Sequence, residues 1–109
     1  MAQTFATPAL GSLPILGVGM GYRDPLRNEI LQHPDEIDFL EITADHFLQS
    51  SNPRWLFLDD LRSRHTLIPH GLNLSLGSAE GLNREYLNEL ADLVHRVKPP
   101  WWSEHIAFT

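Results

Sequence analysis

Four short apolar runs, separated by helical or turn-rich stretches, constrain the fold of this 109-residue chain more than any other feature. The first, Pro14-Ile15-Leu16-Gly17-Val18-Gly19-Met20-Gly21, reads as a short buried strand opening into a glycine-rich turn. Asp24-Pro25 has the form of an N-cap with a first-turn proline, and Leu26, Ile30 and Leu31 follow at helical spacing until Pro34. Ile37-Asp38-Phe39-Leu40-Glu41-Ile42-Thr43 is the second run of strand length. Asn52-Pro53 marks another helix start, running through Leu61, and Leu67-Ile68-Pro69-His70 is the third strand. Between Asn83 and Val97, the side chains of Tyr86, Leu87, Leu90, Leu93, Val94 and Val97 fall on one helical face. Pro99-Pro100 ends that helix, and Trp101 to Phe108 reads as a fourth strand.

The predicted order is therefore β-α-β-α-β-α-β. Near-continuous apolar strands favour a parallel sheet covered by helices and built from right-handed crossovers. No repeat, low-complexity tract or linker divides the chain, so residues 1–13 read as a tail and 14–109 as one incomplete domain. The fold class is α/β: four strands and three helices make about half of a (β/α)8 TIM barrel, which usually needs ~250 residues. An isolated half-barrel exposes two sheet edges and its interior, so it requires a partner, self-association as a homodimer, or its own second half.

Composition narrows the setting. The 42% hydrophobic and 20% charged content is ordinary for a globular protein, and the net charge of −6 argues against nucleic acid or anionic membrane as a general partner. No run approaches the ~20 apolar residues of a membrane span. Met1-Ala2-Gln3-Thr4 lacks the basic and apolar blocks of a secretory signal, so a cytoplasmic location is expected. The absence of cysteine leaves only nitrogen and oxygen as metal ligands.

Parallel α/β proteins build their sites at the C-terminal ends of strands. Side-chain alternation puts Phe39, Glu41 and Thr43 on one face, joined by Asp45 if the chain stays extended. His70 shares a face with Ile68; Glu104 shares one with Trp102 and Ile106, while His105 points the opposite way. If Glu104 faces a barrel interior, His105 needs a turn or bulge to do so as well, which makes Glu104 the preferred ligand. Asp45 and His46 follow the second strand, where a loop can turn either inward. The constellation is Glu41 or Asp45, with His46, His70 and Glu104, and such a sulfur-free set suits iron(II), manganese or zinc.

Plainer readings stand beside these. His70, placed before Gly71, can instead hydrogen-bond the turn, and Glu41 can be a satisfied carboxylate of the sheet or a partner for Arg23. His33, His65 and His95 read as solvated helix residues without a role. The run Gly17-Val18-Gly19-Met20-Gly21 lacks a full G-x-G-x-x-G form because Tyr22 takes the last glycine position, so it reads as a close turn at the barrel mouth. Ser75 and Ser78 have no base placed to activate them.

Four pieces in this order carry a family resemblance: Gly17 to Arg23, Asp38-Phe39-Leu40-Glu41, His70-Gly71-Leu72-Asn73-Leu74-Ser75-Leu76-Gly77-Ser78, and Ser103-Glu104-His105-Ile106-Ala107. From Leu16 to Thr109 the chain resembles the N-terminal part of the multinuclear non-heme iron-dependent oxidative enzymes, bacterial TIM-barrel proteins similar in fold to xylose isomerase. The resemblance implies two or three irons, O2 as co-substrate, ribosomally made peptides as substrates, and a small partner protein that presents the precursor. It matches His70 and Glu104 to metal-binding positions, and Asp45-His46-Phe47 to a Glu-Asn-Tyr whose glutamate is a ligand. Asp45 then replaces that carboxylate with a shorter reach, and His46 adds a ligand or takes over. Leu26 stands where many members have histidine, and the ligands supplied by the second half of the barrel lie outside these residues. The expected function is thus an iron-dependent peptide-modifying enzyme, represented by a fragment inactive alone. The alternatives are a non-catalytic half-barrel that dimerises or binds a partner, and another divalent-metal TIM barrel such as a sugar isomerase or nuclease.

Overall fold

The computed structural model describes residues 13–48 and 51–106. Residues 1–12 of the tail expected at 1–13 lie outside them. The main elements are β1 (Gly19–Gly21), α1 (Arg27–Gln32), β2 (Phe39–Thr43), α2 (Asn52–Arg64), β3 (Thr66–Gly71), α3 (Arg84–Val97) and β4 (Ser103–Glu104). Single 3-10 turns stand at Asp24–Leu26, Pro34–Glu36 and Ala44–His46. The four strands form one sheet in the order β1-β2-β3-β4, every neighbouring pair parallel. This is the expected open half of a (β/α) barrel.

The register sorts side chains to the two faces. Leu40 pairs with Leu67 and Ile42 with Pro69, and these residues are buried. Leu40, Ile42 and Leu67 share a core with Leu58 and Leu61 of α2 and Leu90, Leu93 and Val97 of α3. On the opposite face Glu41 pairs with Ile68 and Thr43 with His70, and His70 in turn pairs with Ser103 of β4. Helices cover the first face because α3 carries its apolar residues in one stripe, as its sequence spacing requires. The Asn83 side chain caps α3 by accepting from the Tyr86 N–H at 3.1 Å. Lys98 ends it in the left-handed region (φ 50°), and Pro99 follows.

Three details differ from the sequence reading. The glycine run does not follow the first strand; Gly19–Gly21 is the strand. Gly17 adopts φ +96°, which breaks extended pairing upstream, and the Val18 N–H is held by the Asp38 carboxylate at 2.8 Å. Gly19 permits the close approach of β1 to β2, since a Cβ there would lie 2.6 Å from the Phe39 ring. The fourth strand, expected over Trp101–Phe108, pairs regularly only at Ser103–Glu104 among the described residues, alongside β3. Residues 107–109 of that expected strand lie outside the described residues.

His65 is the third difference. It is 5% exposed rather than solvated, with both ring nitrogens buried and, among the described residues, without a hydrogen-bond partner. The helix ends at this residue and the backbone turns extended (φ −142°, ψ 150°) into β3, which carries the ring inward.

Candidate functional site at the C-terminal edge of the sheet

Because all strands run parallel, their C-terminal ends form one edge. That edge gathers Tyr22 and Arg23 after β1, Asp45 and His46 after β2, His70 to Leu74 at the end of β3, and Glu104 and His105 at β4. His70 lies at its centre. Its Nδ1 is 2.7 Å from the Ser103 hydroxyl oxygen, and its ring meets the His105 ring edge to face with centroids 4.8 Å apart.

Register decides which β4 residue joins His70. Ser103 is opposite His70, so Glu104 is opposite Gly71 on the other side of the strand, and His105 follows on the His70 side. This reverses the expected placement of Glu104 and His105. The Glu104 carboxylate occupies the space over Gly71, where a Cβ would meet its oxygens at 2.8 and 2.9 Å. One oxygen accepts from the Leu74 N–H at 2.8 Å and the other from the His105 N–H at 2.9 Å.

Asp45 and His46, adjacent in sequence, diverge. Asp45 reaches towards the loop after β3: Oδ1 accepts from the Leu72 N–H at 2.9 Å and from the Tyr86 hydroxyl at 3.0 Å, and Oδ2 accepts from Asn73 Nδ2 at 2.8 Å. The Tyr86 hydroxyl oxygen also accepts from the Asn73 N–H at 3.2 Å. Three successive backbone N–H groups, at Leu72, Asn73 and Leu74, are thus held by side chains from three different parts of the chain. His46 instead lines a cleft of about 400 Å³ between the ends of β1 and β2, together with Tyr22, Arg23, Glu41, Thr43 and Arg54. Glu41 is therefore exposed at the mouth rather than buried in the sheet. Arg54 lies over the Phe47 ring, 4.4 Å from its centroid, and 3.4 Å from the Asp24 carboxylate.

The donor set is chemically suited to iron, since it is imidazole and carboxylate without sulfur. Its arrangement is another matter. Among the described residues no three such groups converge closely enough to hold a metal ion, and Asp45 and Glu104 both spend oxygen atoms on loop N–H groups. These residues do not fit a complete metal centre by themselves.

Sequence reasoning missed Ser103 and Tyr86 as parts of this edge. Tyr86 was legible only as one member of the apolar stripe of α3, and nothing in the spacing points its hydroxyl at Asp45. Burial pushes the Tyr86 hydroxyl up to about 12, with the Asp45 carboxylate adding to the effect and the Asn73 N–H opposing it. Tyr22 is likewise raised to about 12, by burial first and then by Asp24. These are the chain's two tyrosines, so absorbance of tyrosinate should show neither ionising near the ordinary value of about 10 while the fold persists. A folded pKa above the unfolded one stabilises fully below pH ~10 and is lost between about 10 and 12, so stability is expected to fall across that window. Tyrosinate appearing at pH 10 with the fold intact would contradict this.

A parallel α/β sheet of four strands in sequential order, with helices on one face, defines part of a (β/α) barrel. The chain belongs to the family described as RiPP precursor modification enzyme MbnB/TglH/ChrH, which matches it over residues 17–109. This is the family that its four motifs resemble. It is 37% identical over 94 residues to a UPF0276 protein of Acaryochloris marina, covering 86% of this chain and 34% of that protein. A UPF0276 protein of Caulobacter vibrioides is 33% identical over 97 residues (88% and 35%), and one of Haemophilus influenzae 31% over 98 residues (88% and 32%). The chain spans about a third of the length of these relatives. Among the described residues no helix is long and apolar enough to cross a membrane.

Proposed function

We propose that this chain forms the first βα units of an enzyme that oxidises ribosomally made precursor peptides with non-heme iron and O2. In this reading His70, Glu104, Asp45 and His46 hold metal together with ligands from the rest of the barrel. Bound iron would supply the one-electron and O2 chemistry that protein side chains lack. The Ser103 hydroxyl beside Nδ1 orients the His70 ring, which would leave Nε2 available to a metal ion. The mixed-charge β1–β2 cleft opens on the same edge and receives part of the peptide, brought there by a small presenting protein. The whole protein acts in the cytoplasm, and these βα units are inactive alone.

The observation that carries this reading is the family match over residues 17–109, with the C-terminal ends of the four parallel strands on one edge of one sheet. The test is to express the full-length protein with a precursor peptide encoded beside it, then measure metal content and peptide mass. Bound iron and an O2-dependent mass change are expected. A full-length protein without iron that leaves its peptide unchanged in air would overturn the proposal.

A further inference from the structure

We infer that the cleft between α1 and α2 is a subsite for a carboxylate of the substrate peptide. The inference rests on the peptide substrate proposed above and adds which group of it is held. The cleft, about 800 Å³, lies between the start of α1 and the first turns of α2. It meets the β1–β2 cleft at Tyr22, Asp24 and Arg54, which line both. Arg27 and Arg54 reach the same aromatic ring, their guanidinium carbons 4.7 and 5.6 Å from the Phe57 centroid. Stacking on a ring face holds a guanidinium in place and leaves its N–H donors for a planar anion. Asp24 is 3.4 Å from Arg54, and Asp60 is paired with Arg64 at 3.3 Å. Arg27 has no carboxylate partner among the described residues.

Two further observations point to an anion. The first is the end of α2 that opens into the cleft. Its ladder begins with the Trp55 N–H to the Ser51 carbonyl at 3.0 Å, so the N–H groups of Asn52 and Arg54 have no partner within the helix. Ser51 makes no side-chain cap and the first turn holds no acidic residue, so nothing in α2 itself offsets the positive end of its dipole. The second is Tyr22, which is 8% exposed and whose buried hydroxyl has no hydrogen-bond partner among the described residues. The Asp24 carboxylate is near enough to raise its pKa without standing in hydrogen-bonding geometry. A buried donor without an acceptor is costly, and this one belongs to a residue where the two clefts meet. Guanidinium, helix end and phenol together select an anion, on a chain whose net charge is −6. At neutral pH an unmodified ribosomal peptide offers one kind, the carboxylates of Asp, Glu and its C-terminus.

Arg27→Gln in the full-length protein removes one guanidinium at an exposed position and leaves the core untouched. Affinity for a fluorescently labelled precursor peptide is expected to fall about tenfold. The parent should lose as much when the peptide has Asp and Glu changed to Asn and Gln, or when its C-terminus is amidated, and whichever change matters identifies the carboxylate that is bound. In Arg27→Gln that same peptide change should cost little more. Losses below about twofold throughout, or losses that add in full, would overturn the inference. If the parent binds no precursor peptide, the peptide-modifying reading fails by itself. The subsite is then probed with an acetylated, amidated Glu-containing tripeptide and its Gln counterpart, following the side-chain N–H signals of Arg27 and Arg54 by NMR. Shifts with the Glu peptide alone uphold the carboxylate site; equal spectra with both overturn it.

Discussion

Replacing Leu93 with alanine is expected to cost about 2–5 kcal/mol of stability. Leu93 lies in the middle of α3, is 0% exposed, and packs in the cluster that joins α3 to α2 and to the covered face of the sheet. Removing three carbons there loses their transfer free energy. It also leaves a cavity bounded by strands already fixed in register, which collapse cannot readily fill. Urea unfolding of the parent and variant measures the difference. Leu56, on α2 and 66% exposed, is the control, and its alanine variant should stay within about 0.5 kcal/mol of the parent. Equal losses at the two positions would mean that α3 does not pack as described.

His70→Ala carries the largest expected effect on function: peptide modification by the full-length protein reduced more than about 100-fold, with bound iron lost and the fold retained. The side chain is half-buried at a strand end and contributes little to the core, so removing it tests chemistry rather than packing. Ser103→Ala provides a graded companion. It leaves the imidazole and deletes only the hydroxyl at its Nδ1, so a loss nearer tenfold is expected. The plain alternative, in which His70 serves only the turn before Gly71, gives the opposite pattern. Activity within about threefold of the parent in both variants would establish it.

Much of this architecture was written into local patterns. Apolar runs at β2 and β3 and the stripe along α3 gave parallel strands and a covering helix, because burial on a sheet or helix face imposes a period that sequence displays directly. The reading weakened where pairing depends on close approach. Gly19 serves a strand because the Phe39 backbone and ring leave no room for a Cβ, a fact about β2 rather than about the glycine run. His65 shows the same limit, since it is buried where the backbone turns extended from α2 into β3, which its neighbours in sequence do not display.

The candidate site divides in a similar way. Sequence alone determined that His70, Glu104, Asp45 and His46 come at strand ends, and the residue order of the four motifs was enough to mark the family. It could not determine which of two adjacent residues faces inward, because a one-residue change of register exchanges the faces of a strand. Pairing of Ser103 with His70 put His105 beside the central imidazole and turned Glu104 to the loop N–H groups. Only the packing of α3 against the sheet brought Tyr86 to Asp45, across a separation of 41 residues. Which residues have metal-binding chemistry is a property of side-chain type, held in the sequence. Which of their lone pairs remain free is a property of distances between segments, and those exist only once the chain has folded.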